Sequence, residues 1–580
     1  MAAASRGHGA GEAGPEDPAD AAAPLTGLRP RAGALLALLA GLTAWSGWFI
    51  VRTTLGIAGR RYFCLFEDAM ISMTYARNLV EGHGLNWARA GAPVEGFTHP
   101  LWMALMVPVN LLPLELRFRS LVVQLLSLAL LLLDVVLVRR LVLAYFSTER
   151  ARHWLPAALL TACYYPLNYW ALMGMESALQ AVLTVASSLA AMAMVCRGED
   201  RGRTLWLLGA AACLLRLDMV LMVAVVQLWV IAGGGLRGGR RRAHWLQGAA
   251  VFAAINAGYF AFRWFYFHDL LPNTYYLKLY RIPLGVRLLR GVKVLGDAAA
   301  DHLLLLVAVG VGVAVLVRHG RDRPLARRLL LPAALLLAPA AYCVYVGGDA
   351  WEMDVNVRAD RFVVYAVPQL FILFNALINQ VSDRMARAPS PGEGRRGFVA
   401  VATALALVVA DGLWLSANGA ENFNELVVGS PPMMVVPMFE VMEKLGKVEA
   451  LIGPTGTLAT GPAGVTAYFS DYRMVDLYGY NERRIAREPP ALPLGLDNFE
   501  TMLPGHIKFD WPYVVARYRP DAILVHFVVG GGDPAAVFAA AGYRYVPDGT
   551  IWLRGDRAVR SRGGRPAEPP VRTSPASGRR

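Results

Sequence analysis

The chain contains 580 residues, of which 56% are hydrophobic and only 17% are charged, and its mean hydropathy is +0.40. Soluble domains carry about 25% charged residues, so this composition excludes an ordinary soluble protein and predicts several passes through a lipid bilayer. The net charge of +14 does not indicate a nucleic-acid partner, because much of the arginine lies in short loops and in both tails, where positive-inside topology accounts for it.

The N-terminal part of the chain predicts a tail, a first span and a polar outer loop. Residues 1–30 are rich in Ala, Gly and Pro and predict a disordered cytoplasmic tail. The apolar run 32–51 is long enough to span a membrane and lacks a clear cleavage site, which favours an uncleaved first helix. The loop 52–98 then precedes the rest of a membrane domain that we predict over residues 31–416.

The membrane domain is predicted to be mainly α-helical, with about 11 spans. The short run 100–114 contains two prolines and is either a short span or a re-entrant helix. The run 205–231 is interrupted by Arg216 and Asp218, which predicts two short helices that meet near these residues. The other predicted spans are 121–138, 155–170, 178–195, 244–267, 303–317, 329–346, 362–378 and 398–415.

The C-terminal part has a different pattern. Short strand-like runs alternate with Gly/Pro turns and helix-like pieces, which predicts an α/β domain over residues 417–555 on the extracytoplasmic side. Residues 556–580 are rich in Arg, Pro, Ser and Gly and predict a disordered tail.

The loop after the first span carries the densest set of polar residues. Glu67 and Asp68 begin it, and Glu95 and His99 lie near its end. A carboxylate-rich loop beside a membrane predicts a functional site, although an ordinary solvated loop would also be polar. Glu67 is open to three roles, as a metal ligand, as a hydrogen-bond partner or as a neighbour that raises the pKa of Asp68.

Polar residues also collect at the ends of apolar segments that the predicted topology places outside. Charges at membrane depth need partners or a water-filled cavity, so residues of both signs on one face predict such a cavity at the outer leaflet. The set comprises Asp68, Glu176, Arg216, Asp218, Asn273, Tyr275, Tyr276, Lys278, Asp349, Arg358 and Arg361.

Several of these residues also have a purely structural interpretation. Glu176 fits a helix N-terminus, and Arg216 with Asp218 fits an ion pair within the membrane. Asp349 follows two glycines and fits a turn. An interfacial polar belt would account for Asn273, Tyr275 and Tyr276.

A cavity with carboxylates, Arg and Lys suits one class of chemistry. Arg and Lys can hold the phosphate of a lipid-linked sugar and stabilise it as a leaving group, while a carboxylate takes the proton from the attacking hydroxyl. This is glycosyl transfer with inversion, which needs one base. We see no Gly-rich phosphate loop, zinc spacing or Ser/His/Asp order in the sequence.

The motifs of this chain resemble those of a known superfamily. An acidic pair is followed by A-x-I-S-x-x-Y-A-R-N-L-x-x-G-H-G-L-x-W and then by V-E-G-F-T-x-x-L-W. Over roughly residues 32–530 the chain resembles the polytopic glycosyltransferases of the GT-C superfamily, and it is most similar to the actinobacterial terminal β-(1→2) arabinofuranosyltransferase group. Supporting matches lie at 174–177, 216–218, 272–278, 347–349, 358–361, 475–479 and 504–510.

The resemblance implies a GT-C fold in the plasma membrane, a polyprenyl-phosphate sugar donor and a cell-envelope glycan acceptor such as arabinan. It implies that Asp68 is the catalytic base and that the outer domain helps to bind glycan. The acidic pair is Glu67-Asp68 where two aspartates are commoner, and Arg216-Leu217-Asp218-Met219 departs from an Arg-Pro-Asp-Gly pattern. These departures bear on the identity of the sugar.

The sequence therefore predicts an inverting glycosyltransferase, with a divalent cation as an open candidate cofactor. Phosphate would be held by Lys278, Arg358 and Arg361, and sugar or acceptor by Glu176, Asn273 and Asp349. Supporting contacts are expected from Glu67, Glu95, His99, Arg216, Asp218, Tyr275 and Tyr276. A transporter or flippase of lipid-linked sugars and a glycan-binding envelope scaffold are the alternatives, although the sequence shows no repeated halves of the kind that transporters have.

Overall fold

A computed structural model describes residues 29–145, 154–300, 302–318, 323–350, 361–386, 424, 427–429, 435–525, 534–547 and 551–556. Four sequence predictions fall outside these residues. They are most of the N-terminal tail, the last predicted span 398–415, the C-terminal tail after residue 556, and Arg358.

The membrane domain consists of helices, because backbone groups in lipid must find their hydrogen-bond partners within the chain. Within the part of the chain that the structure describes, five helical stretches are long and apolar enough to cross a membrane, and shorter apolar helices are also present. The spanning stretches are Gly33–Arg52, Leu116–Tyr145, Ser177–Cys196, Gly239–Phe267 and Leu325–Val346.

The helices of this domain follow one another along the chain, with one small hairpin after the first. The hairpin pairs β1 (Leu55–Ile57) with β2 (Arg60–Tyr62) in antiparallel fashion. The helices are α1 (Arg29–Arg52), α2 (Glu67–Val80), α3 (Pro100–Leu111), α4 (Leu116–Tyr145), α5 (Leu155–Cys163), α6 (Tyr165–Leu172), α7 (Ser177–Cys196), α8 (Gly202–Leu215), α9 (Val220–Ala232), α10 (Gly239–Phe267), α11 (Asn273–Lys278), α12 (Leu284–Ala300), α13 (Leu303–Arg318), α14 (Arg323–Val346) and α15 (Val367–Ala386), with 3-10 turns at Leu217–Met219 and Val364–Ala366.

Two breaks in the helices shape this domain. The predicted pair of short helices that meet near Arg216 is confirmed, because Arg216 itself has extended backbone angles between α8 and the 3-10 turn that precedes α9. The single span predicted over 155–170 is wrong. The segment forms α5 and α6, which separate at Tyr164, because Pro166 cannot continue the helical hydrogen bonding of the preceding turn. The run predicted over 100–114 forms the short helix α3.

The C-terminal domain has a mixed five-stranded sheet with the order β4-β3-β5-β7-β6. The strands β3, β4 and β5 are parallel, and β7 pairs antiparallel with β5 and β6. The strands are β3 (Thr457–Thr460), β4 (Arg473–Asp476), β5 (Ala522–Leu524), β6 (Tyr543–Val546) and β7 (Ile551–Arg554), and the helices are α16 (Val435–Ile452), α17 (Val465–Tyr468), α18 (Arg483–Arg487), α19 (Trp511–Tyr518) and α20 (Pro534–Ala540), with a 3-10 turn at Phe499–Thr501.

The two domains share a buried junction. The ammonium of Lys508, in the C-terminal domain, donates to the backbone oxygens of Tyr276 and Tyr280, each 2.7 Å away, and to that of Ala486. Arg77 of α2 donates to the backbone oxygen of Tyr468 at 2.7 Å. A buried cation satisfied by backbone oxygens holds its neighbours in one arrangement, so these contacts set the position of the C-terminal domain against α2 and α11.

Candidate active site

One cavity of about 590 Å³ brings together residues from distant parts of the chain. Its walls come from α2, the loop before α3, the break at Arg216, the region around α11, the end of α14 and the C-terminal domain. The predicted site residues that line it are Asp68, His99, Arg216, Asp218, Tyr275, Lys278 and Arg361.

Asp68 lies in the first turn of α2, whose N-cap is Phe66. A helix N-terminus favours negative charge because its first N–H groups have no partner within the helix. Arg361 donates to Asp68 Oδ2 at 2.6 Å. Both contacts favour a carboxylate at this position, and a carboxylate can accept a proton.

Arg361 also joins Asp68 to a second carboxylate. The Arg361 Nε atom lies 2.5 Å from Asp349 Oδ2, and Lys278 Nζ lies 3.5 Å from Asp349 Oδ1. Burial opposes the ionisation of Asp349, but Arg361 and Lys278 outweigh it and hold the pKa of this carboxyl below its usual range. Asp349 is therefore a buried anion that orients both cations.

A second charged group is centred on Arg216, which lines the same cavity. Arg216 donates to Glu176 Oε1 and to Asp218 Oδ1, at 2.8 Å each. The predicted ion pair of Arg216 with Asp218 therefore exists and also lines the cavity. The ring of Phe362 lies 5.0 Å from the Arg216 guanidinium and 5.7 Å from that of Arg361, so it separates the two groups.

His99 links this second group to α2. Burial lowers the pKa of His99, so the imidazole is neutral near pH 7. Its Nε2 lies 2.6 Å from Ser72 Oγ and its Nδ1 lies 3.5 Å from Glu176 Oε2. With a proton on Nδ1, the ring accepts from Ser72 at Nε2 and turns its N–H side to the Glu176 carboxylate, and these two contacts fix its orientation.

Accessibility separates the groups that can meet a substrate from those that support them. The side chains of Asp68 and Lys278 are 16% and 17% exposed. Those of the other charged members of the network are between 1% and 7% exposed; they are Glu176, Arg216, Asp218, Asp349 and Arg361. Among the described residues of this network, Asp68 and Lys278 are therefore the most exposed carboxylate and the most exposed cation of the cavity.

Four other predicted site residues do not line the cavity, and their side chains make contacts within the fold. Glu95 is buried and accepts from Arg263 Nε at 2.7 Å and from Tyr259 at 2.6 Å. Tyr276 donates to Asp269, and its ring lies 3.9 Å from the guanidinium of Arg487. Asn273 contacts backbone oxygens of the C-terminal domain.

Glu67 belongs to the same group, although it precedes Asp68 directly. Its Oε2 accepts from the backbone N–H groups of Gly464, at 2.6 Å, and Val465, at 3.0 Å. Burial raises the pKa of Glu67 to about 7, against the effect of these two hydrogen bonds. Of the three roles open to Glu67 in the sequence, this geometry supports that of a hydrogen-bond partner, at the junction of the domains.

We expect Glu67→Gln to remove part of the pH dependence of stability. The pKa of Glu67 rises from about 4.5 when unfolded to about 7 when folded, so the folded state binds more protons between these values and the stability of the wild-type protein falls as pH rises from about 4.5 to about 7. The amide oxygen of glutamine keeps the two hydrogen bonds without titrating. The difference in Tm between the wild type and Glu67→Gln should change by a few degrees between pH 4.5 and pH 7, as measured by thermal unfolding. A difference in Tm that is the same at both pH values would contradict this prediction.

Sequence reasoning missed two kinds of site residue. Tyr480 and Pro504 line the cavity from the C-terminal domain; Tyr480 directly follows the motif 475–479, and Pro504 begins the motif 504–510. Ser72 and Phe362 contact the predicted residues and also lie within or beside such motifs. A signal for Tyr480 was its position next to Gly479. Within the described ranges, no group of three His, Cys, Asp or Glu residues is arranged to hold a metal ion.

Known structures share this architecture. ArnT from Cupriavidus metallidurans in the apo state has a TM-score of 0.52 and 14% sequence identity, over 92% of this chain and 100% of that chain. The archaeal oligosaccharyltransferase AglB from Archaeoglobus fulgidus, in complex with an inhibitory peptide and a dolichol-phosphate, has a TM-score of 0.47 and 11% identity, over 90% and 74% of the two chains. This second likeness is too distant to carry an argument. The first confirms the predicted fold class, which is a mainly helical, multi-pass GT-C fold with a small C-terminal α/β domain.

Sequence comparisons add one match. A family described as a domain of unknown function (DUF8728) matches residues 440–567, within and just beyond the C-terminal domain. No curated protein sequence matches the chain.

Proposed function

We propose that this protein is an inverting glycosyltransferase that moves a sugar from a polyprenyl-phosphate donor to a glycan acceptor. One observation carries the proposal. The cavity is lined by the carboxylate of Asp68 and the ammonium of Lys278, while the buried Asp349 and Arg361 hold both in place. A base and a cation that face one cavity are the two groups that displacement of a phosphate from a sugar requires.

The reaction follows from these positions. Asp68 takes the proton of an acceptor hydroxyl as its oxygen attacks the anomeric carbon. The bond between that carbon and the phosphate oxygen breaks, and its electron pair leaves on polyprenyl phosphate. Lys278 and Arg361 stabilise the charge of the departing phosphate, and Arg358 remains a candidate for the same task. Attack opposite the leaving group inverts the anomeric configuration.

The walls of the cavity favour a lipid-linked donor. Most of the residues that line it are apolar, and several of them on the helices, including Val220, Leu221 and Tyr345, are exposed. An apolar side chain that is both exposed on a membrane helix and part of the cavity wall marks a route between cavity and lipid. A polyprenyl tail can lie along this route while its phosphate approaches Lys278.

The basic loops support the predicted orientation. Arg197, Arg201 and Arg203 precede or begin α8, which runs from this basic end to the cavity at Arg216. Loops rich in Arg and Lys favour the cytoplasmic side. We infer that the N-terminus is cytoplasmic and that the cavity and the C-terminal domain face outward, across the plasma membrane. The domain boundaries at 31, 416 and 555 belong to the same proposal.

The resemblance of the motifs favours arabinofuranose as the sugar and a cell-envelope arabinan as the acceptor. The described residues place no specific sugar in the cavity, so a direct assay decides. Purified full-length protein is incubated with a panel of polyprenyl-phosphate sugars and an arabinan acceptor, with and without a chelator. We expect product with the arabinofuranose donor, and a requirement for the divalent cation would appear as loss of product with the chelator.

One result would change the proposed sugar, and another would overturn the proposed reaction. Product from another donor would reject arabinofuranose while retaining glycosyl transfer. Movement of the intact lipid-linked sugar across a vesicle membrane, with no product from any donor, would favour the transporter instead.

A further inference from the structure

One short loop of the C-terminal domain reaches the cavity. This loop, residues 476–481, follows strand β4 and is referred to below as the Tyr480 loop. Asp476 is buried, and its carboxylate accepts from the backbone N–H groups of Tyr478, Gly479 and Asn481, at 2.7–3.0 Å. The side-chain amide of Asn481 donates to the same carboxylate at 3.0 Å. Four hydrogen bonds to one buried carboxylate hold the loop in a single conformation.

The membrane domain holds this loop from the other side. The Nδ2 of Asn273 donates to the backbone oxygens of Gly479, at 2.8 Å, and Tyr480, at 2.9 Å. The hydroxyl of Tyr75 lies 2.9 Å from Asn481 Oδ1. Asn273 is only 4% exposed, and its contacts replace those with sugar or acceptor that the sequence suggested. It connects the start of α11, the helix that ends at Lys278, to the Tyr480 loop.

Close packing sets the position of the Tyr480 side chain. Gly96 leaves room for the loop, since a Cβ there would lie 2.0 Å from Asn481 Oδ1 and 2.9 Å from the backbone oxygen of Tyr480. Gly505 leaves room for the phenol, since a Cβ there would lie 2.3 Å from the Tyr480 hydroxyl and 3.3 Å from Lys278 Cε. The hydroxyl and the end of the Lys278 side chain therefore lie on one small surface.

Tyr480 shares the cavity with the proposed catalytic groups. Its ring centre is 5.8 Å from Lys278 Nζ, and its side chain lines the cavity together with Asp68. Burial, and after it the charges of Asp68 and Asp349, raise the pKa of Tyr480 well above its usual range. The phenol is therefore neutral near pH 7 and keeps its proton for donation.

We propose that Tyr480 contacts the substrate beside Lys278 and donates a hydrogen bond to one of its oxygens, and that Asn273 is the positioning residue that holds Tyr480 there. This inference rests on the proposed function. It makes the C-terminal domain a part of the active site, because that domain supplies the hydroxyl of Tyr480 to a cavity whose other proposed catalytic groups come from the membrane domain.

The direct test is Tyr480→Phe in the full-length protein. The substitution keeps the ring and its packing and removes the hydroxyl. We expect kcat/KM for transfer to fall about 10- to 100-fold, as for loss of one hydrogen bond to a charged or polar substrate oxygen. Tyr545→Phe is the matched control, since Tyr545 lies on strand β6 with an exposed side chain packed against Trp552, and its kcat/KM should equal that of the wild type.

The positioning role of Asn273 is tested by a double-mutant cycle. We expect Asn273→Ala to lower kcat/KM by a similar factor. The kcat/KM of the double variant should not fall below that of the less active single variant, because Asn273 acts through Tyr480. Additive losses would overturn that role. Asn498→Ala is the control, since the amide of Asn498 bonds only to Pro493 and Gly495 of its own loop in the described contacts.

A binding experiment separates this inference from the proposed function. Farnesyl phosphate, a short polyprenyl phosphate, is titrated into the wild-type protein and the Tyr480→Phe variant. We expect the Kd of the variant to be about 10-fold higher. Equal Kd and kcat/KM values in an active protein would reject the role of Tyr480 and leave the proposed function standing. If the wild type neither transfers sugar nor binds farnesyl phosphate, both proposals fail.

Discussion

Replacing Asp68 by asparagine is expected to lower the rate of sugar transfer by about 10²- to 10⁴-fold, the range for loss of a general base. The amide has the size of the carboxylate but cannot take the proton of the acceptor hydroxyl. Arg361 loses one anionic partner and keeps Asp349, 2.5 Å away, so the buried guanidinium stays paired. The variant should therefore fold and bind donor while its kcat falls.

Initial rates with the best donor of the panel measure this effect, and Kd values for farnesyl phosphate show whether the cavity remains intact. Asp497→Asn is the matched control, because Asp497 is exposed in a loop of the C-terminal domain outside the cavity. Full transfer by a folded Asp68→Asn protein would rule out Asp68 as the base.

Arg216→Met is expected to destabilise the folded protein by about 3–5 kcal/mol, the cost of removing one partner from a buried ion pair. Arg216 is 5% exposed and pairs with both Glu176 and Asp218. Both carboxylates contribute to this cost, because methionine leaves each of them without its cation. The remaining charge near Glu176 comes from Arg361, and the nearby His99 is neutral.

The change is measured by thermal and denaturant unfolding of the protein in detergent. Arg197→Met is the control, since the side chain of Arg197 is 50% exposed and pairs with Glu199, and exposed pairs contribute about 0–1 kcal/mol. Adding Glu176→Gln and Asp218→Asn to Arg216→Met should restore part of the stability, because neutral amides cost less to bury than unpaired carboxylates. A change no larger than that of the control would show that the group is solvated.

The membrane part of the fold could be predicted from the sequence because lipid leaves the backbone few choices. Apolar runs of sufficient length form helices in the bilayer, as in α1, α4 and α7. The break at Arg216 could also be predicted, since a charge in the middle of an apolar run needs a cavity or a partner. The break at Tyr164 was missed because its neighbours are apolar and its cause is the single Pro166.

The predicted topology also placed many of the site residues on one side of the membrane. Loops at the same ends of antiparallel helices share one side of a membrane, which placed Asp68 with Arg216 and Lys278. In the structure these three residues line a single cavity. Sequence spacing sufficed here because the bilayer reduces the arrangement to two sides.

Sequence could not decide which of two neighbouring residues faces the cavity. Successive residues on a helix point about 100° apart, so Asp68 lines the cavity while Glu67 reaches Gly464. In the same way Tyr275 lines the cavity and Tyr276 stacks on Arg487. Both members of each pair are polar, so residue type alone does not show which of the two lines the cavity.

The sequence by itself determined the class of fold and the break that carries charge, because these follow from the free energy of placing local segments in lipid. The tertiary structure alone decided that Asp68 and Lys278 are the most exposed charges among the described residues of the network and that Tyr480 lines the cavity with them. Tyr480 lies about 400 residues after Asp68 along the chain. Their proximity depends on side-chain packing at Gly96 and Gly505 and on the amide of Asn273, contacts between distant segments that no local pattern specifies.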